Sequence, residues 1–287
     1  MMSILTPVRG DGNGGYVLAL GIAFGKVFGG HLDVIHAHAR PEDLLPYGVP
    51  VSRALKEMIV DSARKTSEGE EGRTHDLFRE FCASHNLEEV DERPKKNDPG
   101  QVTATWREVE GKQASIVAVY GRLNDLVIVA NPDRVTTLGM NTFQASLFEV
   151  GALTAVAPKR EVDSVLEHVA IGWNGSAEAA RAVKRSLRFL FNAKKVTIIS
   201  GLGEHDFDLG PEALQSYLAG HAIEAGVKTV KVGSQNSGAR LLETATEVGA
   251  DTLVMGAFGT EKRQKFVLGG ATGYVLENAQ IPLLMAH

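Results

Sequence analysis

The sequence predicts an α/β fold made of two doubly wound parallel sheets in tandem, and two observations carry this prediction. The first is an internal repeat, in which "DLVIVANP" at 125–132 matches "DTLVMGAF" at 251–258, and "SILTPVRGDGNGG" at 3–15 matches "HVAIGWNGSAEAA" at 168–180. The second is the alternation, within each copy, of short β-branched runs with longer helical patterns. Such alternation favours parallel strands joined by right-handed crossovers, with helices on both faces of the sheet.

The second copy shows this alternation most clearly. Ser176 is predicted as an N-cap, because a good helix-forming run begins directly after it. The predicted strands are 168–173, 195–200, 227–232, 251–256 and 281–286, and the predicted helices are 176–191, 211–225, 237–249 and 270–279. Open sheets of this kind bind ligands at the carboxyl ends of their strands, where the strand order reverses. The loop after 251–256 begins at such an end.

The first copy contains additional sequence between about 40 and 100. It consists of a proline-punctuated loop, a helical pattern from about 52 to 86, and a polar turn rich in helix breakers. We therefore expect two domains, residues 1–160 with this helical insertion and residues 161–287.

Composition excludes several classes of partner. The net charge is −5 and acidic residues outnumber basic ones in both halves, so no basic surface for nucleic acid is expected. No apolar run approaches the roughly 18 residues that span a bilayer, and the first residues lack the pattern of a signal peptide, so no membrane partner is expected. Cys82 is the only cysteine, which favours a reducing compartment. We expect a cytoplasmic protein.

Four glycines in "MGAFGTEKRQKFVLGGAT" suggest an anion site. Gly256 and Gly259 follow a predicted buried strand, and Gly269 and Gly270 precede a predicted helix. The N–H groups at a helix N-terminus favour a bound anion, and phosphate is the common one of that size. An isolated G-x-x-G is better explained by tight turns than by a phosphate site. The strand before it, the helix after it and a matching turn at 173–176 favour the phosphate interpretation.

The spacing G-x2-G-x9-G over 256–269 resembles that of the nucleotide-binding members of the universal stress protein family. "LVMGAFG", "IPLLMA" and "IGWNGSAEAARAV" are similar to that family's fourth, fifth and first strands, and "VIHAHAR" in the first copy is similar to its second strand. The resemblance implies a tandem-domain universal stress protein built from two Rossmann-like, flavodoxin-like domains.

The resemblance also implies a site for ATP, with Mg²⁺ as an accompanying ion, in the second copy. The implied binding residues are Trp173, Asn174, Met255, Gly256, Gly259, Gly269, Gly270, Ala271 and Thr272. For Trp173, a position in the core is an equally good interpretation.

Two positions depart from the family's pattern. The family has Ser or Thr where this sequence has Gly270, so Thr272 would have to supply a hydroxyl, and Gly270→Ser is expected to strengthen binding. The family commonly has Asp where Asn174 stands, and an amide makes a weaker contact with a ribose hydroxyl. In the first copy Asn131 and Pro132 replace the glycines, so that copy is not expected to hold a triphosphate.

No catalytic or metal site is predicted. The sequence contains no nucleophile elbow, no HExxH and no complete P-loop, and the pair His36 and His38 lacks a third ligand. The expected function is a regulatory or protective role in stress, without enzyme activity beyond a weak, incidental ATPase. Two alternatives stay open: a stress scaffold that binds no nucleotide, and an adenylating enzyme of the related superfamily.

Each copy ends in a short apolar strand, at 152–157 and 281–286, whose exposed edge would invite uncontrolled pairing. In the family this strand commonly joins two protomers in antiparallel fashion. We expect the two copies to pair in this way within one chain, as an internal pseudo-dimer. A homodimer of chains would then use another surface, such as the helix near 52–86, and the protein partner is unknown.

Overall fold

The computed structural model describes residues 1–9, 12–38, 52–53, 57–58, 73–98, 100–133, 136–202, 209–231, 236–259 and 270–287. The first copy contains β1 (Met2–Val8), α1 (Gly14–Phe28), β2 (Gly30–His38), α2 (73–85), β3 (Glu88–Glu89), β4 (Thr103–Glu110), α3 (Gln113–Tyr120), β5 (Leu126–Ala130), α4 (Met140–Phe148) and β6 (Leu153–Ala157). The second contains β7 (Val169–Trp173), α5 (Ala177–Phe191), β8 (Val196–Leu202), α6 (Pro211–Ala219), β9 (Ala225–Lys231), α7 (Ser237–Glu247), β10 (Thr252–Gly256), α8 (Gly270–Asn278) and β11 (Leu283–Ala286).

The strands form one 11-stranded sheet in the order β3-β4-β2-β1-β5-β6-β11-β10-β7-β8-β9. Neighbouring strands are parallel except at the centre, where β6 and β11 are antiparallel, with Leu283 opposite Val156 and Met285 opposite Thr154. The predicted α/β fold and the pairing of the two copies as a pseudo-dimer are therefore confirmed. Because the junction is antiparallel, the carboxyl ends of the two sets of parallel strands lie at opposite edges of the sheet.

Helices cover both faces of the sheet. On one face α1, α2, α5 and α6 bury their apolar side chains, and on the other α3, α4, α7 and α8 do so. The copies also meet through helices, since the Phe189 ring on α5 lies edge-on to Phe24 and Phe28 of α1, with centroids 5.5 and 5.3 Å away. The guanidinium of Arg188 stands 4.9 Å from the Phe28 ring centroid. Such aromatic and cation–π contacts add to the apolar area buried between the copies.

The duplication is visible in the register of the strands. The Asp125 N–H donates to the carbonyl of Ser3, and the Asp251 N–H donates to the carbonyl of His168, each at 2.9 Å. The carboxylates of the two aspartates accept backbone N–H groups from Ser3 and Glu167, each at 2.8 Å. Both aspartates therefore fix the starts of strands, at the edge opposite the carboxyl ends of the parallel strands in each copy.

Two helices differ from their predicted extents. α6 ends at Ala219 rather than near 225, because Ala222 has φ of 58° and the Ile223 N–H turns back to the carbonyl of Leu218. Of the helix predicted over 52–86, the described part is continuous over 73–85, and most of the remainder lies outside the described residues. In the described parts of the chain, no helix is long and apolar enough to cross a bilayer.

Candidate functional site

The carboxyl ends of β7 and β10 lie side by side and form the point where the strand order of the second copy reverses. Met255 lies opposite Gly172 in the ladder, so the following residues, Trp173 and Gly256, stand together at the edge of the sheet. The helix after β7 packs on one face and the helix after β10 packs on the other. Crevices of this kind are where open α/β sheets bind ligands.

Gly256 is required by the packing of α5 against the end of β10. A Cβ at this position would lie 2.5 Å from the amide nitrogen of Ala179 and 2.6 Å from the carbonyl carbon of Glu178. Backbone atoms cannot move aside as a flexible side chain can. The first glycine of the motif therefore allows the first turn of α5 to approach the strand.

Gly259 has different surroundings, since a Cβ there would meet no described atom within 4 Å. The loop between these two glycines is held by Phe258, which has φ of 52° and is buried. Its ring centroid lies 5.8 Å from that of Phe148 and 6.3 Å from that of Phe143, both on α4 of the first copy. The first copy thus anchors the start of the glycine loop, and Gly259 has no described atom close to its Cβ position.

The end of β7 supplies one wall of the crevice. Trp173 is only 8% exposed, and its indole N–H donates to the carbonyl of Leu209 at 2.9 Å. Asn174 is exposed, and its amide oxygen accepts the N–H of Ser176 at 3.2 Å. The Ser176 hydroxyl in turn accepts the Ala179 N–H at 3.2 Å, as the predicted N-cap. The first turn of α5 is therefore capped by its own chain.

The start of α8 supplies the opposite wall. Gly270 has φ of 76°, and Ala271 packs so closely on α7 that a Cβ at Gly238 would lie 2.5 Å from the Ala271 carbonyl oxygen. The buried Thr272 hydroxyl accepts the Phe258 N–H at 3.4 Å, which ties the helix to the glycine loop.

Two other predicted binding residues are placed differently. Met255 is buried, with its side chain in the core on the α8 face of the sheet. Gly269 lies outside the described residues, as do Lys262, Arg263 and Lys265 of the intervening loop. In the described part of the chain, no group of three or more His, Cys, Asp or Glu side chains is arranged to hold a metal ion.

The sequence model of the universal stress protein family matches residues 166–287. The second copy belongs to the universal stress protein family. A search of curated proteins finds no match to the chain.

Solved structures extend this finding to the fold of the whole chain. A universal stress protein from Archaeoglobus fulgidus DSM 4304 is 13% identical, with 99% of this chain and 96% of that one covered at a TM-score of 0.68. A candidate universal stress protein from Pseudomonas aeruginosa UCBPP-PA14 is 14% identical, with 100% and 93% covered at a TM-score of 0.55. At these identities the likeness shows the fold, and it spans both copies. The family match covers the second copy and the likeness of fold covers the whole chain, which supports the predicted tandem universal stress protein.

The repeat alignment contains a signal that sequence reasoning missed. By the strand register, Arg9 in the first copy occupies the position of Asn174. Thr142 is the third residue of α4, as Thr272 is of α8. The structure brings these two first-copy residues together, since an Arg9 guanidinium N–H donates to the Thr142 hydroxyl at 2.9 Å. Both copies therefore place a threonine in the first turn of their last helix, beside the switch point and with different polar neighbours.

Proposed function

We propose that the second copy binds an adenine nucleotide, ATP, at the carboxyl ends of β7 and β10, and that the protein acts in stress as a nucleotide-responsive regulator rather than as an enzyme. The observation that carries this proposal is the open surroundings of Gly259, in a loop with the family's glycine spacing, between the switch point and the start of α8. The acidic composition and single cysteine favour a cytoplasmic location.

The N-terminus of α8 would receive the phosphates. The first backbone N–H groups of a helix lack intrahelical partners and carry positive partial charge, which suits the polyphosphate. The Thr272 hydroxyl accepts from Phe258, so its own proton is the group it would donate to a phosphate oxygen. Mg²⁺ would be held mainly by the phosphates and water, as is usual for this ion in nucleotide sites.

The end of β7 would receive the nucleoside. The exposed Asn174 amide lies where a ribose hydroxyl would be recognised, and its oxygen has a second lone pair besides the one that accepts from Ser176. The indole of Trp173 is fixed by its bond to Leu209, so only its small exposed edge would contact a base.

A stress scaffold that binds no nucleotide is the second candidate. It is favoured by the same two departures from the family's pattern, because Asn174 is already engaged in its own turn and Gly270 has no hydroxyl. The adenylating enzyme is less well supported, since the first turn of α5 is capped by Ser176 rather than left open for a pyrophosphate.

Calorimetry with ATP separates the two candidates. Gly259→Val should weaken binding at least tenfold, because the side chain fills the space in front of the loop. Gly15→Val is the matched control, since a Cβ at Gly15 in the first copy also meets no described atom within 4 Å. We expect one ATP per chain for the wild type and for Gly15→Val. Two equivalent sites, or unchanged binding by Gly259→Val, would contradict the proposed site, and a wild type that binds no nucleotide would support the scaffold.

A further inference from the structure

The sequence contains Asn-Gly pairs at Asn13–Gly14 and at Asn174–Gly175. In this dipeptide asparagine loses its side-chain amide more readily than before other residues, because glycine has no Cβ to shield its backbone nitrogen. That nitrogen attacks the side-chain carbonyl carbon of the asparagine, and ammonia leaves. The surroundings of each pair therefore decide whether the reaction proceeds in the native protein.

The pair Asn174–Gly175 lies in the turn between the end of β7 and the start of α5. Asn174 is exposed, so water has access to its side chain. Gly175 has φ of 74°, in the left-handed region that residues with a side chain rarely adopt. The pair precedes the N-cap Ser176, whose carbonyl accepts the Ala180 N–H at 2.9 Å as the helix begins. The hydrogen bonds of α5 therefore leave the backbone of the pair free to rotate.

The hydrogen bond of the Asn174 side chain favours this reaction. The Ser176 N–H donates to the Asn174 amide oxygen at 3.2 Å, which folds the side chain back over the Gly175 peptide in an Asx-turn. The bond also draws electron density away from the carbonyl carbon, which makes that carbon easier to attack. When the Gly175 nitrogen adds to it, the oxygen becomes an oxyanion, and the same N–H stabilises that charge.

The pair Asn13–Gly14 is placed differently, although the dipeptide is the same. Asn13 is itself the N-cap of α1, and Gly14 is the first residue of that helix. The Asn13 side chain accepts no capping bond from the helix, whereas its backbone carbonyl accepts the Val17 N–H at 3.4 Å. Ring closure requires rotation about the Cα–C bond of Asn13, which would break this backbone bond. We therefore expect the reaction to be slow at this pair.

We propose that Asn174 deamidates in the native protein and thereby places a negative charge in the crevice at the carboxyl ends of β7 and β10. The Gly175 nitrogen gives up its proton and bonds to the side-chain carbonyl carbon of Asn174. The bond from that carbon to the amide nitrogen breaks, and ammonia leaves with the proton. Water then opens the cyclic imide, at the side-chain carbonyl to give aspartate or at the main-chain carbonyl to give isoaspartate. Either product carries a carboxylate in place of the neutral amide.

The reaction consumes only water and runs in one direction, so the converted fraction of the protein increases with the time since its synthesis. A carboxylate accepts hydrogen bonds more strongly than an amide does. One consequence rests on the proposed function: an aspartate at this position would hold the ribose hydroxyls of a bound nucleoside more tightly than Asn174 does. The site would then change its affinity as the protein ages.

Peptide mass spectrometry tests the modification. Trypsin releases Asn174 in the peptide 161–181 and Asn13 in the peptide 10–26, and neither peptide contains another asparagine or a glutamine. The protein would be kept at neutral pH, in buffer and in urea, and the mass gain from replacing –NH₂ by –OH would be followed in both peptides. In buffer Asn174 should convert at least about tenfold faster than Asn13, which is below the effect of one oxyanion donor in an enzyme site. In urea, where the turn and α1 are lost, the two rates should become similar. Equal rates in the native protein, or no mass gain in the peptide 161–181, would overturn the proposal.

Variants assign the reaction to one side chain. Asn174→Gln keeps an amide but requires a larger ring, so the mass gain of the peptide 161–181 should disappear. Asn13→Gln is the matched control and should leave the rate at Asn174 unchanged. A mass gain that persists in the Asn174→Gln variant would refute the assignment.

Calorimetry with adenosine measures the consequence for binding, because this probe carries no phosphate charge. Asn174→Asp imitates one product of the reaction, and it should bind adenosine severalfold more tightly than the wild type. If the affinity is unchanged, the ribose contact of the proposed function is wrong, and the mass measurement still decides whether Asn174 is modified.

Discussion

Gly256→Ala should destabilise the protein without any ligand present, because this glycine serves the packing of α5. The added methyl would lie 2.5 Å from the Ala179 nitrogen and 2.6 Å from the Glu178 carbonyl carbon, about 1 Å inside an ordinary contact. α5 would have to shift along a face that it buries through Ala182, Val183 and other residues. Overpacking of this kind costs about 1–3 kcal/mol, and a clash with two backbone atoms lies at the upper end.

Thermal unfolding of the ligand-free protein measures this cost. A loss of about 3 kcal/mol corresponds to a fall in Tm of about 6–12 °C for a chain of this size. Gly259→Ala is the control, since its methyl would meet no described atom within 4 Å, and its Tm should stay within about 1 °C of the wild type. The reasoning fails if Gly256→Ala unfolds at the wild-type temperature, or if the two alanine variants lose equal stability.

Two further predictions concern ionisable groups. Burial, with a smaller effect from the charge of Glu89, raises the pKa of the Cys82 thiol to about 12. Its reaction with a disulfide reagent at pH 8 should therefore be on the order of a thousandfold slower in the native protein than in urea, because less of the thiol is ionised. Similar rates in the two conditions would contradict this prediction. Burial, and to a smaller extent the charge of Lys195, lowers the pKa of His168. The unfolded chain therefore binds the proton more readily than the native protein does, and the free energy of unfolding should fall as the pH drops below about 6.5. Urea unfolding at pH 7.5 and at pH 5.5 tests this prediction. Between these two pH values the His168→Gln variant, whose glutamine can keep a hydrogen bond to Thr197, should lose less stability than the wild type. An equal loss in the two proteins would exclude His168 as the cause.

Much of the fold could be predicted because the deciding signals are local. Each of the apolar runs at 152–157 and 281–286 would present an exposed strand edge if it stayed unpaired, which invites pairing with another strand. The structure pairs them with each other as β6 and β11. Ser176 caps α5 as predicted, since an N-cap depends only on residues within one helical turn. The internal repeat predicts the equivalence of Asp125 and Asp251, and the two residues make the same backbone and side-chain bonds in the two copies.

The candidate site could be predicted less completely, because its features depend on contacts between distant segments. Glycine spacing alone does not distinguish Gly256, which α5 requires, from Gly259, which faces open space. The φ of 76° at Gly270 likewise cannot be derived from sequence, and it changes one expectation. A serine there would adopt a left-handed conformation that costs roughly 1–2 kcal/mol, which offsets the gain expected from its hydroxyl.

Phe258 is a further case, since its contacts with α4 cross between the copies. No local pattern in the glycine loop indicates that its third residue packs against Phe143 and Phe148. Only the antiparallel junction of the two copies, once established, brings that loop to the first copy.

The covalent junction of the copies also changes what mutation can do to the two edges where the carboxyl ends of the strands lie. In a dimer of identical chains, every substitution occurs twice and the two symmetry-related sites must change together. Here the residues of the two edges are encoded separately, so that Arg9 stands at one edge and Asn174 at the equivalent position of the other. The pairing of β6 with β11 is also unimolecular, and dilution cannot separate the two halves. The two edges can therefore diverge independently within one chain, and they stay in a fixed one-to-one ratio whatever its concentration.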